Sequence, residues 1–265
     1  MKKNKRLCAI SLILTIALFF GASATALAAE ESDADSSTET IEIQSVEDLQ
    51  ALAKSCRLDT WSQGKTVELT TDLSLEGTEF SPIPSFGGVF HGNGHAISGL
   101  NLDGSASRAG LFDEIQEGGA VYRLSVSGTI DVTGNEAAGG IAAVNGGAIV
   151  SCDFSGSVSG ASCVGGIVGQ NTKTGNVTDC RSKGAVMGEK MRGGVAGRND
   201  GKLARCVNAA CVNGTSADRN LSLQNLSLDF SFDLSKLSSM NTVGAAADTG
   251  GVAGYSCGVI LSCEN

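Results

Sequence analysis

Short runs in which apolar and polar residues alternate recur along this chain, each four to six positions long and closed by glycine or a turn residue. A period of two is the signature of a strand with one buried face. AIVSC (148–152), NVTDC (176–180), KLARC (202–206) and VILSC (259–263) all end at a cysteine. SGSVSG (155–160) and SKGAVMG (182–188) supply a further strand in two copies. Ahead of the cysteine strands stand related seven-residue segments: GGIAAVN (139–145), GGIVGQN (165–171), GGVAGRN (193–199) and GGVAGYS (250–256). The first three are spaced by 26 and 28 residues, and a looser copy, RAGLFDEI (108–115), places Gly110 29 residues before the next pair.

Units of this kind are about three short strands with glycine corners, and no amphipathic helix fits between them. One unit cannot bury its apolar side alone, so the pattern predicts stacked coils with each strand paired to its equivalents above and below. The expected fold is all-β, a right-handed parallel β-helix with three faces. Its hand follows from the general bias of parallel connections. Stacking predicts two structural ladders. Asn145, Asn171 and Asn199, completed by Ser256, line a turn. Cys152, Cys180, Cys206 and Cys263 occupy one equivalent position. An open first coil needs covering, and SVEDLQALAKSC (45–56) supplies a capping helix. Ser45 is its N-cap, Asp48 stands three residues on, and Val46, Leu49, Leu52 and Ala53 form one face. KTVELTTDLSL (65–75) then begins the β-helix proper.

Composition agrees with tight turns: 36 glycines against two prolines, Pro82 and Pro84, with 5% aromatics. The ends add a location. Lys2, Lys3, Lys5 and Arg6 precede an apolar run from Leu7 to Phe20, and Ala26-Leu27-Ala28 offers a cleavage site, so residues 1–28 read as a signal peptide. Residues 29–41, opening AEESDADSSTET, read as a disordered acidic linker. Without the leader's four cations the formal charge of −9 becomes −13. That leaves no basic footprint for nucleic acid or an anionic membrane, and no membrane insertion is expected after leader cleavage. The β-helix is expected over 42–265, with a lateral insertion at 209–248. Cys152 and Cys180 precede the next glycine pair by 13 residues, whereas Cys206 precedes Gly250 by 44, an excess of 31. Within it NLSLQNLSLDFSFDLSKL (220–237) matches no repeat, and recognition is expected to involve this insertion. The chain stops at CEN just after a cysteine strand, so more of the same chain is expected beyond Asn265.

FSPIPSFGGVFHGNGHAISGLNLDG (80–104), followed by AGLFDEI, resembles the opening coil of GLUG-motif proteins. GGIVGQN…NVTDCRSKGAVMG and GGVAGRNDGKLARC are similar to the GLUG repeat itself. The resemblance covers about 42–265 apart from the insertion. It implies a scaffold module of bacterial surface or secreted proteins, among them adhesin-like chains and some IgA-cleaving peptidases. It speaks to architecture and location more than to activity.

The eight cysteines after the leader invite disulfides, but equivalent positions in a stack hold parallel Cβ vectors that do not converge. Cys152, Cys180, Cys206 and Cys263 therefore read as buried thiols acting as small hydrophobes. The state of Cys56, Cys163, Cys211 and Cys257 is open, with a Cys206–Cys211 bond one option. His91 and His95 lie four apart among glycines that preclude a helix, and no C-x-x-C pair exists, so no metal site is assigned. QGKT (63–66) lacks the first glycine of a phosphate loop, since Asp59 stands there. Asp103, Asp113, Glu114 and Glu117 are acids that could cluster near the opening coils, but surface acids explain them as well. No catalytic residue and no cofactor is assigned.

The expected function is a non-catalytic secreted or cell-surface module, acting in adhesion or as a rigid scaffold, with host or cell-surface glycans or proteins as partners. One rival is a carbohydrate-active β-helix enzyme, a polysaccharide lyase or glycosidase, marked by a groove with paired carboxylates near Arg or Lys. The other is the scaffold portion of a longer surface peptidase.

Overall fold

A computed structural model describes residues 39–133, 136–212 and 249–265. These described residues belong to one compact unit. The expected signal peptide, the linker up to residue 38 and most of the expected insertion lie outside the described residues.

The described chain is a parallel β-helix. Its strands assemble into four sheets of eight, six, five and five strands, and the strands pair in parallel between coils. One coil shows the plan. A long strand, Ser125–Val132, is followed by Ala137–Gly139, then Ala142–Asn145, then Ala148–Val150. The next long strand, Asp153–Gly160, starts a new coil over the first. Four sheets appear rather than three faces because Gly140 and Ile141 divide the glycine-pair segment into two strands.

The two glycines of each pair answer different packing demands. A Cβ on Gly139 would lie 2.3 Å from the Ala142 carbonyl oxygen, and one on Gly165 2.1 Å from that of Val168, so the first glycine makes the bend. A Cβ on Gly140 would lie 2.2 Å from the Phe154 ring, so the second admits the inward side chain of the long strand. The pairs stack in register, Gly139 on Gly165 on Gly193 on Gly250. A further column, Gly128, Gly156 and Gly184, runs mid-strand through the long face at φ of 159°, 159° and 116°. Any Cβ there would sit 1.9 Å from a carbonyl oxygen of the coil before, a place only glycine fills.

Left-handed residues turn the corner into each long strand. Ser151, Asp179, Arg205 and Ser262 hold φ of 55°, 56°, 52° and 50°, each directly before a ladder cysteine. Inside the coils Ile141, Ile167 and Val195 stack, as do Ile149, Val177 and Leu203, all fully buried. Apolar residues at equivalent positions thus bury one another from coil to coil.

At the N-terminal end the helix Val46–Ser55 forms with a complete capping box between Ser45 and Asp48. Leu49, Leu52 and Ala53 are buried in the core beneath it. The first strand, Thr40–Ile43, precedes this helix and pairs with Thr66–Leu69. The β-helix therefore begins inside the expected linker 29–41 and before the expected start at 65, because Ile41 and Ile43 supply the same alternation as later strands. From residue 75 to 88 regular pairing lapses. In place of strands, two isolated bridges, Ile83 to Phe112 and Phe86 to Ile115, pair this segment with the next coil. Phe86, Phe90 and Phe112 fill its interior with ring centroids 5.3–6.3 Å apart.

The far boundary also moves. Ala209–Val212 continue the long face, pairing residue for residue with Lys183–Val186. The described strand thus runs through Val212, past the expected start of the insertion at 209. Residues 213–248 lie outside the described residues, and Thr249–Gly250 pair with Arg192–Gly193.

Candidate functional site

The asparagines meet as a continuous hydrogen-bonded column. Asn145 Nδ2 donates to Asn171 Oδ1 at 2.8 Å across 26 residues, and Asn171 Nδ2 to Asn199 Oδ1 at 2.9 Å across 28. Asn199 Nδ2 donates to Ser256 Oγ at 3.0 Å across 57. All three asparagines are 0% exposed. They also bond turn groups: Asn171 Nδ2 reaches the Gly175 carbonyl at 3.1 Å, and Asn145 Oδ1 accepts the Gly147 N–H at 3.2 Å. The amides are spent on the scaffold and present no free group to a ligand.

Cys152, Cys180 and Cys206 stack, buried, with Cys263 half-buried above them, and the eight cysteines from Cys56 onward are free thiols. Each ladder thiol donates to the carbonyl two residues back, at 3.4 Å to Val150, 3.2 Å to Thr178, 3.5 Å to Ala204 and 3.4 Å to Leu261. Flanked by the thiols of Cys152 and Cys206 and buried, Cys180 is held well above the usual thiol range. Burial pushes Cys56 up to about 11. Neither is a nucleophile at neutral pH.

A further polar ladder escaped the sequence reading. Asn208 Nδ2 donates to Asn265 Oδ1 at 2.6 Å, and Asn208 Oδ1 accepts the Ala210 N–H at 2.8 Å. Both stand two residues after a ladder cysteine, where earlier coils carry Phe154 and Ser182. That offset was the available signal.

The two histidines are placed apart and serve the opening turn. His95 Nδ1 lies 3.0 Å from Asp72 Oδ1. The same oxygen accepts the Ala96 N–H at 2.9 Å, and these bonds hold Asp72 below the usual carboxylate range. His91 stacks on the Tyr122 ring at 5.4 Å between centroids. No group of three or more His, Cys, Asp or Glu side chains converges among the described residues.

The four acids near the opening coils do not form one cluster. Glu114 binds Arg108 at 2.8 Å, and Glu136 approaches the same guanidinium at 3.6 Å. Glu117 is exposed. Asp103 and Asp113 line different hollows on either side of the segment Glu79–Pro82. The Asp103 hollow has a volume of about 530 Å³ and is broad, with Arg108 in its wall.

The Asp113 hollow, about 350 Å³, lies between the capping helix and the irregular segment. Gln50, Lys54 and Arg57 come from the helix and the turn after it, facing Glu79, Ser81, Pro82 and Pro84. Gln50 Nε2 donates to the Glu79 carbonyl at 3.2 Å and ties the two walls together. Asp113 sits on the strand Phe112–Ile115, its N–H donating to the Ile83 carbonyl at 2.8 Å. Its Oδ1 is buried and has no hydrogen-bond partner. Burial pushes the carboxyl up to about 6, opposed by the charge of Arg108. The sequence flagged Asp113 but not Gln50, Lys54, Arg57, Glu79 or Ser81, because the wall they complete exists only once the helix folds back on the coil.

Comparison with known proteins agrees with the fold. Over 149 residues the chain is 32% identical to Halomucin of Haloquadratum walsbyi (strain DSM 16790 / HBSQ001). The match takes in 51% of this chain but only 2% of Halomucin. The fold is shared with the crystal structure of a candidate immunoglobulin A1 protease from Bacteroides ovatus, at a TM-score of 0.51 and 18% identity. That overlap covers 67% of this chain and 60% of the other. Residues 160–187, the length of one coil, match the family model of the GLUG motif. The matched segment is one coil of a stack whose neighbouring coils pair with it in register, so the chain carries a GLUG motif and its architecture is consistent with a GLUG repeat protein.

Proposed function

We propose that the chain is an exported, non-catalytic module of a surface-type repeat protein, with the β-helix as rigid scaffold and adhesion as its role. One observation carries the reading: the buried side chains, from the asparagine column to the cysteine column, are consumed in joining coil to coil. A fold so invested in its own axis is suited to holding a surface in place. The likeness to Halomucin, which spans a small part of that protein, supports a repeat module within a surface-type assembly. Host or cell-surface glycans or proteins are the partners that such a module would meet.

The test couples the chain through one end to beads and measures their retention under flow on surfaces coated with glycoprotein, deglycosylated protein or albumin. Retention above the albumin level is the expected result. Equal loss from all three surfaces rejects adhesion.

The hollow around Asp113 favours one rival reading. It holds two carboxylates, Asp113 and Glu79, beside Lys54 and Arg57, the set a carbohydrate-active enzyme would need. New reducing ends or unsaturated products from polysaccharides, lost in Asp113→Asn, would establish that reading in place of the non-catalytic one.

A further inference from the structure

Among the described residues, the hollow between the capping helix and Pro84 is lined by Asp113, whose carboxyl carries a buried oxygen without a partner. We propose that this hollow binds one neutral saccharide unit, with Asp113 as the carboxyl that takes its hydroxyl groups. The proposal rests on the adhesion reading above and gives it a point of contact.

Size comes first. A volume of about 350 Å³ is at the small end of ligand pockets, which run from roughly 300 to 1,000 Å³, and suits a single ring rather than an extended chain. Chemistry comes second. Gln50, Lys54, Arg57 and Ser81 offer donors, and Glu79 and Asp113 offer acceptors. Two formal cations face two carboxyls, so the walls favour a ligand rich in both donors and acceptors but without net charge. An anion would meet both acids, and an amine would meet both cations. Pro82 and Pro84 add rigid C–H faces on which the apolar face of a sugar ring can lie.

Rigidity comes third. Asp113 is fixed by its strand, and the opposite wall is tied by the Gln50 to Glu79 bond at 3.2 Å. A site held open in this way loses little ordering entropy when filled. Asp113 Oδ1 is itself closed to solvent, so the carboxyl meets a ligand through the part of the side chain that lines the hollow. Arg108, the cation acting on Asp113, already pairs with Glu114 and Glu136 and is not available to it as a donor. Near neutral pH the raised carboxyl retains a protonated fraction, which can donate as well as accept.

The experiment is an NMR titration of the isotope-labelled chain with the methyl glycosides of glucose, galactose, mannose and N-acetylglucosamine at millimolar concentrations. At least one glycoside is expected to shift amides of Gln50–Arg57 and Ser81–Asp113 together. Asp113→Ala is expected to weaken that binding about tenfold, and Asp113→Asn, which keeps one acceptor, by less. Amide spectra that superimpose away from the hollow show that both variants fold. The proposal is overturned if no glycoside moves these amides, if Asp113→Ala binds as well as the parent, or if acetate or butylammonium binds more tightly than every glycoside. Bead retention with a silent hollow keeps the adhesion reading and removes this site. A saturable hollow on beads that do not hold keeps the site and removes adhesion.

Discussion

The coils between Ala137 and Cys206 and the opening region between Leu75 and Phe112 enclose the same β-helix, but they fill it by opposite means. The repeat coils use small residues in strict register, with one residue type stacked on itself: glycine on glycine, asparagine on asparagine, cysteine on cysteine. The opening region uses three phenylalanines in tilted and edge-on contact and gives up regular strand pairing from residue 75 to 88. Strict register leaves no interior polar atom without a partner along the asparagine column. Broken register leaves an unpartnered carboxyl oxygen and a hollow. Repetition makes the scaffold, and its interruption makes room for recognition.

The largest effect that would test this contrast comes from the mid-strand glycine column. Gly156→Val is expected to yield no folded protein, since even a Cβ would lie 1.9 Å from the Gly128 carbonyl oxygen at a φ of 159°. Loss of the β-type circular dichroism would show it. A variant that still melts cooperatively would mean that the repeat coils tolerate disorder as the opening region does.

Next comes the aromatic filling. Phe86→Ala removes a fully buried ring and is expected to cost about 3–5 kcal/mol in chemical denaturation. The damage should remain near the opening coils, with hydrogen-exchange protection kept at Asn171 and lost around Phe112. Uniform loss of protection would show that the two regions unfold as one.

Asn171→Ala should cost somewhat less, about 2–3 kcal/mol, because it strands the Asn145 donor and the Asn199 acceptor in a dry interior. Combined with Asn199→Ala the loss should fall short of additive, since the second change removes a group already orphaned. Full additivity would mean that the column is a set of local turn bonds.

The smallest effect has the opposite sign. The Asp113 carboxyl is raised from 3.8 to about 6 in the folded chain. Between those values the folded state holds the proton more tightly, so the stability it contributes at low pH is lost as pH rises through 6. Asp113→Asn removes this penalty and is expected to stabilise the chain at pH 7 by about 1 kcal/mol, after discounting for partial exposure. At pH 4 the gain should vanish. An unchanged melting temperature at both values would show that the hollow carries no such strain.

The seven-residue copies by themselves determined the stack, its register and the asparagine and cysteine columns, because a repeat that pairs with its own copy puts like residue over like. The capping helix was equally legible, since Ser45, Asp48 and the Leu49–Leu52–Ala53 face are local signals. The boundaries were less so. Thr40–Ile43 alternates as the later strands do, but its pairing with Thr66–Leu69, like that of Ala209–Val212 with Lys183–Val186, is decided by the neighbouring strand. The fourth sheet likewise depends on the bend in each glycine-pair segment, where a Cβ on the first glycine would meet the carbonyl three residues on. The hollow was decided by tertiary structure alone. Gln50, Lys54 and Arg57 share the helical spacing of one segment, but Ser81 and Asp113 belong to two others that have no period in common with it. They meet because the helix folds over an irregular stretch that the phenylalanines hold off the regular lattice, and no one-dimensional pattern encodes that contact.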